Sequence, residues 1–431
     1  MAQLNSDFPL RDQGVSNALE IDSLSRHRWY FVKEGFSPKL VEQAIATDGV
    51  CPGECLLDPF SGGGTSALAA VMHGLRFTGF EVNPFLRFLS RTKIQKGSEL
   101  RLRRAALTVL RRLERPVDSP LEGFSTFTKG NRWNRWLFPT SVLRSFESGR
   151  RATAEMPHSE GSLLRLALIG AAMDCCNAVR DGKCLRYPKK WESGESTVDD
   201  LSTRFKIRTD MIATDLTLTP LVGAEATLLE GDARQLIKKT KNKFRICITS
   251  PPYLNSFDYS DVYRPELFLG NFVGSTKALM KVRLKTVRSH VQAQWRNPTV
   301  HEFGVLYERA IRAIRDRASQ LWDQRLPMMI QAYFEDLQGV LRGLRRRAQN
   351  NASVWLVVST SAYAGVEVPV DLILAEIAQQ QGWFLREVGV LRYLRSSSQH
   401  VQHVEDTGRK SIPLRESVVI LDAAPRGTRS N

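Results

Sequence analysis

Ile248-Thr249-Ser250-Pro251-Pro252-Tyr253 closes a short apolar run that begins at Phe244. The run from Phe244 to Ile248 has the length and composition of a buried strand. Two consecutive prolines cannot continue a central strand, because each lacks an N–H and holds φ near a single value. The backbone therefore leaves the sheet in a rigid turn at Pro251. Open α/β sheets place ligands beyond the C-terminal ends of such strands. The turn then presents Ser250, the Pro251 carbonyl and the Tyr253 ring to a crevice.

Such a turn suits one chemical problem. The exocyclic amine of a nucleobase is a poor nucleophile, because its lone pair is delocalised into the ring. A hydroxyl and a carbonyl that accept its two hydrogens pull it toward tetrahedral geometry. An aromatic face beside them holds the base by stacking, worth ~1–3 kcal/mol. The plainer alternative is a proline-rich loop leaving a strand.

Upstream, Leu56-Leu57-Asp58-Pro59-Phe60-Ser61-Gly62-Gly63-Gly64-Thr65 is a second strand that ends in a special turn. Asp58 ends the strand, the glycines allow a tight turn, and Thr65 caps a helix running to about His73. Glycine-rich strand-to-helix turns commonly cradle phosphate. Here no Lys follows, which excludes a P-loop, and the spacing is not GxGxxG. A carboxylate at the strand end repels phosphate and attracts an ammonium or sulfonium, which suits the methionine part of S-adenosylmethionine. The next strand, Phe77 to Val82, carries Glu81 near its end, where a carboxylate accepts hydrogen bonds from ribose hydroxyls. The alternative for Glu81 is a solvated charge after a strand.

The 431 residues are 42% hydrophobic and 25% charged, the composition of a globular protein with a sizeable core. A formal net charge of +16 points to a polyanionic partner, nucleic acid first. Cys51 and Cys55 flank one turn, Cys175 and Cys176 are adjacent, and Cys184 and Cys247 stand apart. No CxxC pair recurs, which disfavours a zinc ribbon and reads as reduced, cytoplasmic thiols. Met1 to Gln13 lacks the apolar centre of a signal peptide, and no apolar run approaches membrane-spanning length, so no membrane partner is expected.

Ser37-Pro38 starts a helix whose apolar face is Leu40, Val41, Ala44 and Ile45. Trp29, Tyr30 and Phe31 before it read either as core or as a cofactor wall. From Arg87 to about Glu225 the α/β rhythm stops. Residues 101–115 form a helix with one apolar face and arginines around the rest. Lys129 to Trp136 alternates basic, amide and aromatic residues, Ser162 to Cys176 reads as an apolar helix, and Tyr187-Pro188-Lys189-Lys190 lies in a basic loop. This is a mostly helical insertion rather than a second sheet. Its charges are either a solvated face or a nucleic-acid contact. The sheet resumes at Ala226 to Glu230, followed by Gly231-Asp232-Ala233-Arg234. Residues 272–326 are again basic and largely helical, with Arg288, Ser289, His290 and Gln292 as polar contact candidates. Met328 to Arg347 is an amphipathic helix, Ser353 to Val358 a strand, Pro369 to Gln381 a helix, Trp383 to Tyr393 a strand, and Glu416 to Asp422 the last strand. That last strand is reached through a basic loop, Arg395 to Arg415.

DPFSGGGT at 58–65 together with TSPPY at 249–253 resembles the amino-methylating DNA methyltransferases, which modify cytosine N4 or adenine N6. The resemblance covers roughly 26–90 and 226–422. It implies a Rossmann-like class I methyltransferase fold, with a seven-stranded, mostly parallel sheet, one antiparallel strand and helical insertions. It divides the chain into a first catalytic part at 1–86, a helical and DNA-contacting insertion at 87–225, and a second catalytic part at 226–431 that carries an insertion at about 272–326. The implied cofactor is S-adenosylmethionine, held by Tyr30, Phe31, Ser37, Asp58, Pro59, Phe60, Gly62, Gly63, Gly64, Thr65, Glu81, Asp232 and Ala233. Ser250, Pro251, Pro252 and Tyr253 are the implied catalytic set, and no metal is required. Arg132, Trp133, Arg135, Trp136, Lys189, Lys190 and Arg288 are the expected nucleic-acid contacts. The partner is double-stranded DNA with one base flipped out of the stack, and a restriction or defence-system partner is in keeping with the family. Ser before Pro-Pro-Tyr is similar to the cytosine-N4 pattern. An adenine-N6 enzyme, an RNA methyltransferase and a non-catalytic nucleic-acid-binding subunit are the alternatives. Two insertions, one before Asp232 and one after Arg264, depart from the usual family arrangement with one large recognition region.

Overall fold

The computed structural model describes residues 3–18, 20–181, 184–221, 225–394 and 413–425. Most of the basic loop from Arg395 to Arg415 therefore lies outside the described residues. Eight strands form one sheet: β1 Leu4–Asn5, β2 Cys55–Asp58, β3 Arg76–Glu81, β4 Ala226–Glu230, β5 Phe244–Thr249, β6 Ala348–Ser359, β7 Phe384–Tyr393 and β8 Arg415–Asp422. Their order is β1-β7-β8-β6-β5-β2-β3-β4. β8 runs antiparallel to both neighbours, and every other pair is parallel. β2 and β5 are buried along their whole length, as parallel strands covered on both faces must be.

This is the α/β architecture expected, with one strand more than seven. The addition is β1, two residues that pair with Val388 and Gly389 at the sheet edge. Two residues carry no periodicity, so the sequence could not announce it.

The connections run from β2 through β3 to β4 on one side, while β5 and β6 lie on the other. The strand order thus reverses between β2 and β5, and a crevice opens beyond their C-terminal ends. Both special turns, after Asp58 and after Thr249, fall there.

One face of the sheet is covered by helices Ala233–Lys239, Leu326–Arg347 and Val370–Gln380, packed through Ile237, Leu337, Leu341, Ile373 and Ile377. The other face is covered by helices Pro38–Asp48 and Thr65–Met72, through Leu40, Val41, Ala44, Ala67 and Ala70.

A third core lies outside the sheet. Helices Glu99–Leu113, Thr140–Ala154, His158–Asp174 and Val198–Leu218 pack on one another and on helix Pro84–Lys93. The same core takes in Trp29 and Tyr30 and, from beyond the Pro-Pro turn, Phe257, Tyr263, Leu267, Phe268 and Leu279. The segment also holds a hairpin, Val179–Asp181 with Cys184–Arg186, which is shorter than sequence periodicity can reveal.

The stretch expected as one helical insertion at 272–326 divides. Residues up to Leu279 belong to the helical core, whereas Val287, Val291, Phe303, Tyr307 and Ile311 pack under the sheet. Residues 284–304 contain no helix. Among the described residues no helix is long and apolar enough to cross a membrane.

One buried carboxylate ties the N-terminal segment to the helical core. Asp215 accepts from the Arg26 N–H at 2.8 Å, from Trp29 Nε1 at 2.9 Å and from the Arg28 guanidinium. Burial works to raise its pKa, but these bonds prevail and hold it below the usual carboxylate value. The Arg26 guanidinium, itself buried, donates to the carbonyls of Lys93, Gln95 and Thr219.

Candidate functional site

The turn after β2 is built on glycine. Gly64 has φ +83°, and a Cβ there would lie 2.5 Å from Ser90 Oγ and 2.8 Å from Ser90 Cα. Helix Thr65–Met72 can start against helix Pro84–Lys93 only because that side chain is missing. At Gly63 a Cβ would press on Val32 at 3.0 Å, so the loop and the Val32–Phe36 segment approach closely. The fully buried Lys93 ammonium donates to the Gly63 carbonyl at 3.1 Å and to the Tyr30 carbonyl at 3.3 Å. Burial alone lowers its pKa to about 7.

Asp58 and Glu81 divide two jobs differently from the sequence expectation. Asp58 is 1% exposed. It accepts from Thr249 Oγ1 at 2.6 Å, from the Phe60 N–H at 3.0 Å and from the Ser66 hydroxyl. Its carboxylate fastens the end of β2 to the end of β5, the strand that leads into the Pro-Pro turn. Burial raises its pKa to about 6 against those three bonds. Glu81 accepts from the Gly62 N–H at 2.8 Å and the Asn83 N–H at 2.7 Å. Burial raises it to about 7, again against its hydrogen bonds. Asp232 caps helix Ala233–Lys239 by accepting from the Arg234 N–H, and pairs with the Arg234 guanidinium.

A cavity of about 350 Å³ opens where these turns meet. Pro59, Phe60, Gly62, Gly63, Thr65 and Glu81 line it on the β2–β3 side, Asp232 and Ala233 beyond β4, and Ser250, Pro251, Pro252 and Tyr253 beyond β5. Burial first, then the charge of Glu416, holds the Tyr253 hydroxyl's pKa well above the usual phenol value, against the opposing effect of the neighbouring Ser250 side chain. Tyr253 is half-buried.

Five of the expected cofactor residues are not on this wall. Asp58 and Gly64 lie behind it, for the structural reasons above. Tyr30 is in the helical core, edge-on to Phe85 at 5.0 Å and bonded through its hydroxyl to Glu266 and Arg180. Phe31 points outward, 39% exposed. Ser37 is buried as the cap of helix Pro38–Asp48. The neighbours of these three, Val32 to Phe36, do line the cavity. The sequence locates the segment; the five consecutive residues 32–36 reach the cavity, while Tyr30 and Ser37 on either side are drawn into the helical core and a helix cap.

The expected nucleic-acid contacts also separate. Arg288 is 9% exposed and held by Glu335 and Asp336, so it is an internal strut. Trp136 is buried edge-on against Trp191 and donates to Glu195 at 2.6 Å. Arg132, Trp133, Arg135, Lys189 and Lys190 are exposed. The Arg132 guanidinium sits 4.2 Å over the Trp133 ring, and that of Arg135 lies 5.7 Å over Tyr187. This loop is connected to the cavity wall, because Arg264, next to the lining residue Tyr263, donates to the hydroxyls of Ser125 and Thr126.

Several lining residues were not legible as such. Arg392 and Glu416 reach the cavity paired at 2.5 Å, brought there by the β7–β8 register. Lys33 and Glu34 arrive with the Val32–Phe36 segment, and Lys285 and His290 with the irregular stretch after Arg283. His290 carried a signal, as one of a cluster of polar residues, and Lys33 and Glu34 fall within the Phe31–Leu40 stretch, which is similar to the family segment that closes over the methionine end.

No family model matches the chain. Over 92% of its length it is 24% identical to the Type II methyltransferase M.BsoBI of Geobacillus stearothermophilus, covering 86% of that protein. It is likewise 24% identical over 90% of its length to the Type II methyltransferase M.AvaI of Nostoc, covering 85% of that protein. Among solved structures it overlays the rRNA methyltransferase aviRa of Streptomyces viridochromogenes at a TM-score of 0.30 and 12% identity, over 90% of this chain and 86% of that one.

Proposed function

We propose a function from the premise that this chain is a relative of the Type II methyltransferases and carries the DPFSGGGT and TSPPY motifs of the amino-methylating family. It is a site-specific DNA methyltransferase that moves a methyl group from S-adenosylmethionine to the exocyclic amine of a flipped base, cytosine N4. The observation that carries this reading is the single cavity into which Glu81 and the Gly62–Gly63 turn open from one side and Ser250, Pro251 and Tyr253 from the other.

The lining residues fit the cofactor. Glu81 keeps lone pairs beyond its two backbone bonds and can accept from ribose hydroxyls. Asp232 and Ala233 stand where an adenine ring would rest. The Val32–Phe36 segment and the Gly62–Gly63 turn would hold the methionine end. When bound, the cofactor supplies a methyl group on a sulfonium, a good leaving group. Ser250 and the Pro251 carbonyl accept the two amine hydrogens, and Tyr253 stacks on the base. Extrusion is required because the amine is out of reach inside the duplex. Arg132, Trp133 and Arg135, on the loop braced through Arg264, and Lys189, on the loop after Cys184–Arg186, contact the duplex backbone.

Mass spectrometry of nucleosides from DNA treated with the protein and S-adenosylmethionine tests this. N4-methylcytosine is the expected product. N6-methyladenine alone overturns the choice of base, and the absence of any methylated base overturns the activity.

A further inference from the structure

His290 is buried at 1% exposure, and neither ring nitrogen has a hydrogen-bond partner among the described residues. Buried polar side chains are nearly always satisfied, so an imidazole left open on both sides calls for an explanation. His290 lines the cavity that holds Ser250 and Tyr253. Behind it lies a smaller, apolar cavity of about 170 Å³, walled by Trp295, Met328 and Met329. The ring is held edge-on to Trp295 at 5.1 Å, and the Trp295 indole donates to the His290 carbonyl at 2.8 Å. Its segment is fixed to the stretch after the Pro-Pro turn, where the Ser256 N–H donates to the Ser289 carbonyl at 3.1 Å.

The charged groups near the ring do not claim it. Asp258 Oδ1 is 3.9 Å from Nε2, beyond hydrogen-bond reach. That carboxylate is engaged by Arg283 at 2.6 Å and by Ser260. Gln292 approaches without ordinary hydrogen-bond geometry. Burial first, and Arg283 with it, lower the imidazole pKa against the pull of Asp258. The ring is therefore neutral at pH 7, with one N–H donor and one bare nitrogen.

The proposed function leaves one edge of the extruded base unread. Ser250 and the Pro251 carbonyl take the amine hydrogens. The ring nitrogen next to that amine, N3 of cytosine or N1 of adenine, is an acceptor with no donor assigned to it. We propose that His290 is a base-reading residue, whose imidazole N–H donates to the ring nitrogen adjacent to the reacting amine. The inference rests on the amino-methyltransferase reading above. It makes His290 a specificity-determining residue, separate from the Ser250–Tyr253 turn.

The test uses the full-length protein and its His290→Phe and His290→Gln variants. Calorimetric binding of S-adenosylmethionine reports folding and the cofactor half of the site, and it should be unchanged in all three. Transfer of labelled methyl is then compared between a duplex with the natural target base and one with its deaza analogue, 3-deazacytosine or 1-deazaadenine. Deaza substitution also alters the amine, but that effect is common to all variants. The ratio of the two rates should be about tenfold larger in wild type than in His290→Phe, the factor that one ordinary hydrogen bond supplies. His290→Gln, which retains an N–H donor, should recover discrimination. Equal ratios in wild type and His290→Phe, with cofactor binding intact, overturn the assignment and leave the methyltransferase reading standing. Cofactor binding by wild type without transfer to any DNA overturns both.

Discussion

Both oxygens of Glu81 already accept backbone N–H bonds, from Gly62 and Asn83, yet burial holds its proton to about pH 7. Ribose hydroxyls and a cationic cofactor both favour the ionised form. Cofactor affinity should therefore rise with pH up to about 7 and then level, and Glu81→Gln should flatten the profile in calorimetric titrations. Glu81→Ala should weaken binding by about 1.5–3 kcal/mol, whereas Ser250→Ala should leave binding intact and slow transfer. Lys93 gives the complementary case on the alkaline side. Its folded pKa, lowered from 10.5 to about 7, lies below the unfolded value. Between those values the unfolded chain binds the extra proton, so stability rises with pH from about 7 to 10.5. Denaturant midpoints measured across that range should climb in wild type and climb less in Lys93→Met.

Asp215 shows the same logic at the level of an element. It holds the backbone of Arg26, the side chain of Arg28 and the indole of Trp29 against helix Val198–Leu218. Asp215→Ala leaves a guanidinium and two donors without an acceptor and should cost ~3–5 kcal/mol, read as a drop in the urea midpoint. Elements differed in how plainly the sequence declared them. β5 and β2 were legible because each is an apolar run stopped by a turn that only Pro-Pro or Gly-Gly-Gly explains. Helix Val198–Leu218 was not, because its apolar residues are interrupted by charges on every turn. Its one local sign was the capping box of Thr197 and Asp200. Asp58 was read as a ligand-facing acid because a strand-end carboxylate looks free in one dimension. Its partners, Ser66 and Thr249, become visible only when β2 and β5 lie side by side. The Arg392–Glu416 pair was unreadable for the same reason, since strand register rather than local composition brings it to the cavity.

Taken whole, the basic excess is unevenly committed. Arg103 pairs with Glu99 and Asp210, and Arg112 with Glu155, so two of the five arginines on helix Glu99–Leu113 are neutralised by their neighbours. Arg132 and Arg135 sit in the exposed loop braced by Arg264, and Lys189 is exposed on the loop after Cys184–Arg186. Replacing these three with Gln should lower the slope of log K against log salt by ~0.9 for each phosphate no longer neutralised, while Arg103→Gln with Arg112→Gln should leave it unchanged. The helical core also bears on how the proposed target preference could be moved between relatives. Its apolar interior is drawn mainly from two stretches far apart in the chain, residues 84–218 and residues 257–279, with β4, β5 and the Pro-Pro turn between them, and Trp29, Tyr30 and Val32 join it from the N-terminal segment. A transplant of the first stretch alone, made between two relatives by a single pair of crossovers, would strand Phe257, Tyr263, Leu267 and Phe268 against a foreign surface. A chimera that carries both stretches from one parent should fold and methylate with that parent's target preference, whereas one that carries only the first should be recovered as insoluble protein.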